Sequence, residues 1–368
     1  MLDNSSHSPY FNAGVFIMAD LTLKEILADH TKKGELYSTM PNEWVRCVAC
    51  GHRCKIPHGK DGICKIRSNL DGTLFVPYGY VSGIALDPIE KKPFFHAYPG
   101  SNALSFGMLG CDYHCSFCQN WVTSQTLRDP HAISSIQEIS AEEIVRLALR
   151  QKAPIITSTY NEPLITSEWA VEVFKLAKNA GLVTSYVSNG NATREVLDYL
   201  DPWIDLYKVD LKAFHQKSYA QMGGVLQNVL DTIESLYKRK KWLEVVTLVV
   251  PGMNDSDKEL KEIAQFIYSI SPDIPWHVTA YHEEYKMEAS EEFTPLTTLT
   301  RAAEIGYSSG LHFVYTGNRP GQTRNYENTY CYSCHELLVE RIGFRVPRNH
   351  IADGMCFKCG CIIAGRWK

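Results

Sequence analysis

The chain lacks a strong charge of either sign. Lys and Arg number 37 against 41 Asp and Glu, a formal net charge of -4 over 368 residues. Nothing electrostatic therefore marks it as a general nucleic-acid binder. It also lacks the pattern of a secretory leader. The apolar patch from Ala13 to Ala19 has no basic region before it and is too short to span a bilayer. The expected location is the cytoplasm, with Met18 as an alternative start ahead of a helix-like segment from Leu21 to His30. Among the cysteines, what is missing is scatter. All 12 fall into three sets: Cys47, Cys50, Cys54 and Cys64; then Cys111, Cys115 and Cys118; then Cys331, Cys334, Cys356, Cys359 and Cys361. Without an export signal, such sets read as metal sites rather than disulfides.

What is present is enough apolar material, 45% of residues, for one large α/β domain with appendages. Residues 1–100 read as an extension, a cysteine module and a hairpin, 101–320 as the main domain, and 321–368 as a terminal module. Within the main domain, strand-like runs recur at Ala103–Met108, Pro154–Ser158, Val183–Val187, Leu206–Val209, Leu243–Val250 and Trp276–Ala280, with a further one from His312 to Tyr315. Helical segments alternate with them. Ser140 to Glu143 has the form of a capping box, Thr166 to Ala180 stops at Gly181, and Thr294-Pro295 reads as an N-cap followed by a first-turn proline. Strand and helix repeated six times imply a parallel sheet with crossover helices, open or curled into a barrel. Upstream, Tyr78–Ala85 and Phe94–His96 read as short strands. The intervening Asp87-to-Pro93 segment resembles a hairpin; its Lys91 and Lys92 are candidates for touching substrate, but a solvated turn is the preferred reading.

The central trio carries the chemistry. Cys111, Cys115 and Cys118 lie at C-x3-C-x2-C spacing with Phe117 before the last. Three thiolates are too few to close a structural metal site by themselves, which takes four protein ligands. Iron–sulfur clusters are held by short cysteine runs of this kind. A four-iron cluster on three cysteines leaves one iron open. A zinc loop with a distant fourth ligand is the rival reading. The Cys47/Cys50/Cys54/Cys64 set can close a tetrahedral site, for zinc or an auxiliary iron–sulfur cluster. The pairs Cys331/Cys334 and Cys356/Cys359 form two C-x2-C knuckles, a zinc-ribbon pattern flanking a strand-like Glu336–Val346, with Cys361 a fifth thiol of no evident role.

Chemistry in sheets of this type gathers at the C-terminal strand ends. The residues there are the cysteine loop, Glu162 in Tyr160-Asn161-Glu162-Pro163, Ser188-Asn189-Gly190, Asp210-Leu211-Lys212, Pro251-Gly252-Met253-Asn254, and Tyr281-His282. Each has a plainer reading: Glu162 as a helix cap, Ser188–Gly190 as a turn, Asp210 and Lys212 as a surface ion pair, and His277 or His282 as structural.

The motif Cys111-x3-Cys115-x-Phe117-Cys118 resembles the signature of radical S-adenosylmethionine (SAM) enzymes. The resemblance implies a partial (β/α)6 barrel, a [4Fe-4S] cluster on the three cysteines, and SAM chelated at the open iron. Reductive cleavage of SAM then yields a 5′-deoxyadenosyl radical that abstracts hydrogen from a substrate. It further implies that Phe117 lies against the adenine. Glu162 would bind the SAM amino group, although Tyr160-Asn161 stands where many members have Gly-Gly. Ser188, Asn189, Asp210, Lys212 and His282 would also contact SAM, as in the glycyl-radical-activating branch. The three cysteine sets together, with Gln119-Asn120-Trp121 and Gly365-Arg366-Trp367, resemble the radical SAM member of the AmmeMemoRadiSam system, related to pyruvate formate-lyase-activating enzymes. That implies a flavodoxin- or ferredoxin-like reductant and AMMECR-type and Memo-type partner proteins. Two rivals stand beside it: an activase that makes a glycyl radical on a partner protein, and a non-enzymatic zinc-binding adaptor.

Overall fold

The structure, a computed structural model, describes residues 22–287, 293–323 and 325–368. The apolar patch from Ala13 to Ala19, Met18 and the start of the helix-like segment at Leu21 lie outside the described residues, as does Arg324 in the turn-rich 320–325 segment.

Eight strands make the main sheet: β1 (Gly83–Pro88), β2 (Asn102–Gly107), β3 (Ile155–Ser158), β4 (Val183–Ser188), β5 (Leu206–Asp210), β6 (Trp242–Val249), β7 (Trp276–Ala280) and β8 (Val314–Gly317). They lie side by side in chain order. β1 pairs antiparallel to β2, and every later neighbour pairs in parallel. β3 and β7 are buried at every position, as expected of strands covered on both faces. The crossovers supply helices α1 (Ala141–Arg150), α2 (Ser167–Asn179), α3 (Arg194–Leu200), α4 (Leu226–Lys238), α5 (Asp257–Ile270) and α6 (Leu296–Ser308). Residues such as Ile144, Val145 and Ala148 of α1, or Leu260, Ile263 and Ile267 of α5, recur at three- and four-residue spacing and point into the core.

Caps decide where several helices start. Ser140 accepts the Glu143 amide at 3.2 Å ahead of α1, and Gly181 follows α2 at φ +76°, in the left-handed region glycine favours. Thr294 does not cap α6. Its hydroxyl donates to the Val249 carbonyl and accepts the Tyr281 amide, tying the ends of β6 and β7 together. The last strand begins at Val314 rather than His312, and the run from Tyr78 breaks into Tyr80–Val81 and β1.

Two upstream expectations are overturned. Phe94–His96 forms no strand: its Phe95 and His96 amides donate to the Glu244 carboxylate on β6, each at 2.9 Å, so the segment is satisfied by a side chain instead of a ladder. The Asp87–Pro93 segment is no solvated turn. Asp87 and Lys92 are buried and paired at 2.7 Å, which removes the cost of burying either charge alone.

The C-terminal module packs against the last strand and that segment. Phe95, Phe313, Tyr315, Cys331, Leu338, Val339, Cys356 and Ile363 share one buried cluster. Arg341 donates to the Phe95 carbonyl at 2.6 Å and to Thr329 at 2.8 Å, with its guanidinium over the Phe95 ring. Glu336–Val346 is two strands, Leu337–Ile342 and Arg345–Asn349, turning at Gly343. At the other end, the Cys47–Cys64 module is anchored on α2 by the buried Arg67–Glu168 pair. Among the described residues no helix is long and apolar enough to cross a membrane.

Candidate active site

The loop that follows β2 is held from three sides. Gly110 takes φ +87°, and a side chain there would meet the Cys64 carbonyl and Ile66, each at 3.1 Å. Asp112 is fully buried and accepts the side-chain NH2 groups of Asn189 and Asn191, both at 2.8 Å, which fixes the loop to the end of β4. From above, the segment after β7 closes on it: the Lys286 amide donates to the Ser116 carbonyl at 2.9 Å, and Tyr285 stacks on Trp121. The three cysteines are free thiols, and all of them line a cavity of about 420 Å³ at the C-terminal ends of the strands.

The same cavity is lined by Phe117, Glu162, Ser188, Asn189, Asp210 and Lys212. The first four strand ends singled out from the sequence thus converge on it, whereas Pro251 to Asn254, Tyr281 and His282 do not line it. That histidine is half-buried and reaches the cavity only through Gln119, whose side-chain nitrogen lies 3.0 Å from its Nε2. His277 does line the cavity, but it is held by Glu244 at 2.6 Å.

Glu162 is both a cap and more than a cap. Its carboxylate accepts the Leu164 amide at 3.1 Å, and also the Ser188 hydroxyl and Asn189 amide, each at 2.7 Å. Burial, then the neighbouring Asp112 charge, pushes its pKa up to about 8 despite those donors. Asp210 and Lys212 are not a surface pair. Burial alone would raise Asp210, yet Lys208 and Lys212 outweigh it and hold the carboxyl at about 2. Lys208 went unnoticed in the sequence, although the signal was present. Lys208 and Asp210 alternate along β5 and Lys212 continues the same alternation two residues past its end, so the three were readable as sharing a face.

The three cysteine sets differ in spacing. The sulfurs of Cys331, Cys334, Cys356 and Cys359 all lie within 4.8 Å of one another, with Cys331–Cys359 at 3.6 Å and Cys334–Cys356 at 3.7 Å. A tetrahedral ion with zinc–sulfur bonds of about 2.3 Å puts its ligands roughly 3.8 Å apart, so this group fits a single ion. Cys361 stands outside the four, with its sulfur near the Ile362 carbonyl. Among the described residues neither the central trio nor the Cys47/Cys50/Cys54/Cys64 set gathers that tightly. The trio therefore fits a group larger than one ion, with one side open to the cavity. Burial pushes the Cys115 thiol up to about 12 and the Cys111 thiol well above its usual value, so these two are protonated when nothing is bound. The upstream set lies beside it: Cys47, Cys50 and Cys64 are buried, and the His52 ring nitrogen sits 3.2 Å from the Asp112 carbonyl.

Comparison with known proteins agrees with this geometry. Residues 107–267, the span from the end of β2 into α5, match the Radical SAM superfamily. An uncharacterized protein of Methanocaldococcus jannaschii is 34% identical over 333 residues, covering 89% of this chain and 98% of its own. The pyruvate formate-lyase 1-activating enzyme of Escherichia coli K12 is 24% identical over 212 residues, 52% of this chain and 82% of that enzyme. A crystallised domain of a pyruvate-formate lyase-activating enzyme from Bacteroides vulgatus superposes with a TM-score of 0.38 at 19% identity, over 44% of this chain and 98% of that domain. The chain belongs to the radical SAM superfamily of enzymes.

Proposed function

We propose that Cys111, Cys115 and Cys118 hold a [4Fe-4S] cluster in a partial barrel, and that the enzyme cleaves SAM reductively to abstract hydrogen from a substrate bound in the same cavity. When bound, the cluster supplies the electron that splits the SAM sulfonium and releases the 5′-deoxyadenosyl radical. The rest is the work of this chain's side chains. Phe117 offers a flat face to an adenine. Glu162, kept in place by Ser188 and Asn189, offers a carboxylate to the SAM ammonium, and Lys212, steadied by Asp210, offers a cation to its carboxylate. The loop of residues 282–287, including His282, limits water at the cysteine loop. The observation that carries the reading is the convergence of three free thiols and these polar groups on one cavity.

We further assign zinc to Cys331, Cys334, Cys356 and Cys359, and a metal site to Cys47, Cys50, Cys54 and Cys64. Membership of the AmmeMemoRadiSam system, with AMMECR-type and Memo-type partners and a flavodoxin- or ferredoxin-like reductant, belongs to the same proposal. A second reading, an activase that installs a glycyl radical on a partner, is favoured by the similarity to the Escherichia coli activating enzyme. The test is anaerobic purification, reduction, and chromatography for 5′-deoxyadenosine formed from SAM. A brown protein that makes it supports the proposal, and a colourless protein containing zinc alone refutes it. A radical signal appearing on a partner polypeptide rather than on a small molecule would select the activase.

A further inference from the structure

A second constellation on the cavity wall is unused by the SAM contacts. Lys92 and Lys208 line the cavity and are only 4% and 5% exposed. Lys92 Nζ donates to Asp87 at 2.7 Å, lies 3.4 Å from the Tyr160 hydroxyl, and sits 4.7 Å from the Tyr160 ring centre. The Tyr160 hydroxyl donates to the same Asp87 oxygen at 3.2 Å. Lys208 donates to Asp210, whose other oxygen accepts from Lys212.

Tyr160 is held there at a conformational cost. Its φ is +71°, a region a bulky residue rarely occupies. The neighbouring strand gives way as well: a side chain at Gly107 would lie 2.4 Å from the Thr159 carbonyl and 2.9 Å from Tyr160 Cβ. Strained residues persist where the surroundings over-determine them, and they cluster at binding sites. Here the strain aims a ring at Lys92 and a hydroxyl at Asp87.

The charges do not balance. Half-exposed Lys91 and buried Lys92 both pair with Asp87, and Lys208 pairs with Asp210. Lys212 also pairs with Asp210, but it and Glu162 are the residues assigned above to the two charges of SAM, and Glu90 has Arg341 beside it. That leaves three ammonium groups lining the cavity, of Lys91, Lys92 and Lys208, against two carboxylates, and an anion that meets them offsets the cost of the two buried ones.

We propose that Lys92 and Lys208, positioned by Asp87, Tyr160 and Asp210, form a subsite for an anionic group of the substrate, a carboxylate or a phosphate. The word substrate rests on the radical SAM reading, but anion binding needs neither iron nor SAM. A charged small molecule fits this wall better than the uncharged glycine of a partner's loop.

The experiment is calorimetric titration of the purified protein with inorganic phosphate and, separately, with oxalate. The wild type should bind at least one of them at one site per chain, and the preference between the two names the group. Lys92→Met and Lys208→Met should each weaken binding by about 10- to 100-fold, the usual range for losing a charge-assisted hydrogen bond. Lys92→Arg and Lys208→Arg, which keep the charge, should retain most of it. If one Met variant fails to fold, the Met-against-Arg contrast at the other lysine decides. The proposal is overturned if neither anion binds, if the Met variants bind like wild type, or if the anion simply competes with SAM, which would make these lysines partners of SAM's own carboxylate. Intact anion binding in a protein unable to cleave SAM would unseat the radical SAM reading and leave the subsite standing.

Discussion

Replacing Arg67 by Met should loosen the cysteine module from the sheet at a predictable cost. Arg67 and Glu168 are each 1% exposed and form a two-pronged pair at 2.8 and 2.7 Å. Arg67 also donates to the Ile165 carbonyl at 2.9 Å, and Glu168 accepts the Glu35 and Leu36 amides. Methionine fills most of the space but leaves a buried carboxylate with two backbone donors only. Breaking such a pair costs about 3–5 kcal/mol, whereas replacing both partners by apolar residues is often near neutral. Arg67→Met should therefore lower unfolding stability by that amount in urea denaturation, and Arg67→Met with Glu168→Met should recover much of it. The sign with pH follows. Burial alone would raise Glu168, but Arg67 outweighs it and holds the carboxyl below its usual value. The stabilisation is thus present above the unfolded-state pKa, about 4.3, and fades as pH falls through the lower folded value. A single-variant loss below about 1 kcal/mol, or a double variant no better than the single, would refute the argument.

Cys115→Ala should abolish 5′-deoxyadenosine formation while the circular dichroism of the sheet and helices is retained, because the cysteine lies on a loop; retained SAM cleavage would sink the assignment. Glu162→Ala should weaken SAM binding by about 10-fold or more, judged from the usual worth of a charged hydrogen bond, without lowering iron content; unchanged affinity would reduce Glu162 to a cap. Cys331→Ala should yield insoluble or easily proteolysed protein, since binding energy at a structural zinc is folding energy; normal folding would remove zinc from that group.

Legibility followed distance along the chain. The cysteine loop was readable because its chemistry is local, eight residues from Cys111 to Cys118, and the strands were readable because short runs rich in apolar and β-branched residues alternate with capped helical segments. Lys91-Lys92-Pro93 misled because two lysines before a proline look like a turn. Lys92 lies against Tyr160, 68 residues away, and no local pattern contains that. Glu244 was missed for the same reason. It sits mid-strand in an apolar run, and its partners, the Phe95 and His96 amides and the His277 ring, come from two other places in the chain. Thr294 had the local form of a cap, yet two strand ends outcompeted the helix for its hydroxyl.

Sulfur spacing separates what cysteine count could not. Among Cys331, Cys334, Cys356 and Cys359, separations of 3.6 and 3.7 Å suit one ion rather than a cluster. At the central trio the wider separation and the open cavity have the opposite effect: a lone zinc would reach too few thiolates to be held well. The upstream set shares the wider arrangement while being more enclosed, with three of its four cysteines buried. On spacing alone it sides with the trio, and on closure with the C-terminal four. Metal analysis before and after exposure to air resolves this. Zinc should remain at one equivalent or more when the iron is lost; a second equivalent would place zinc upstream, and a loss of iron exceeding four per chain would place a second cluster there. Departure of all zinc together with the iron would mean that the spacing argument fails for the C-terminal four as well.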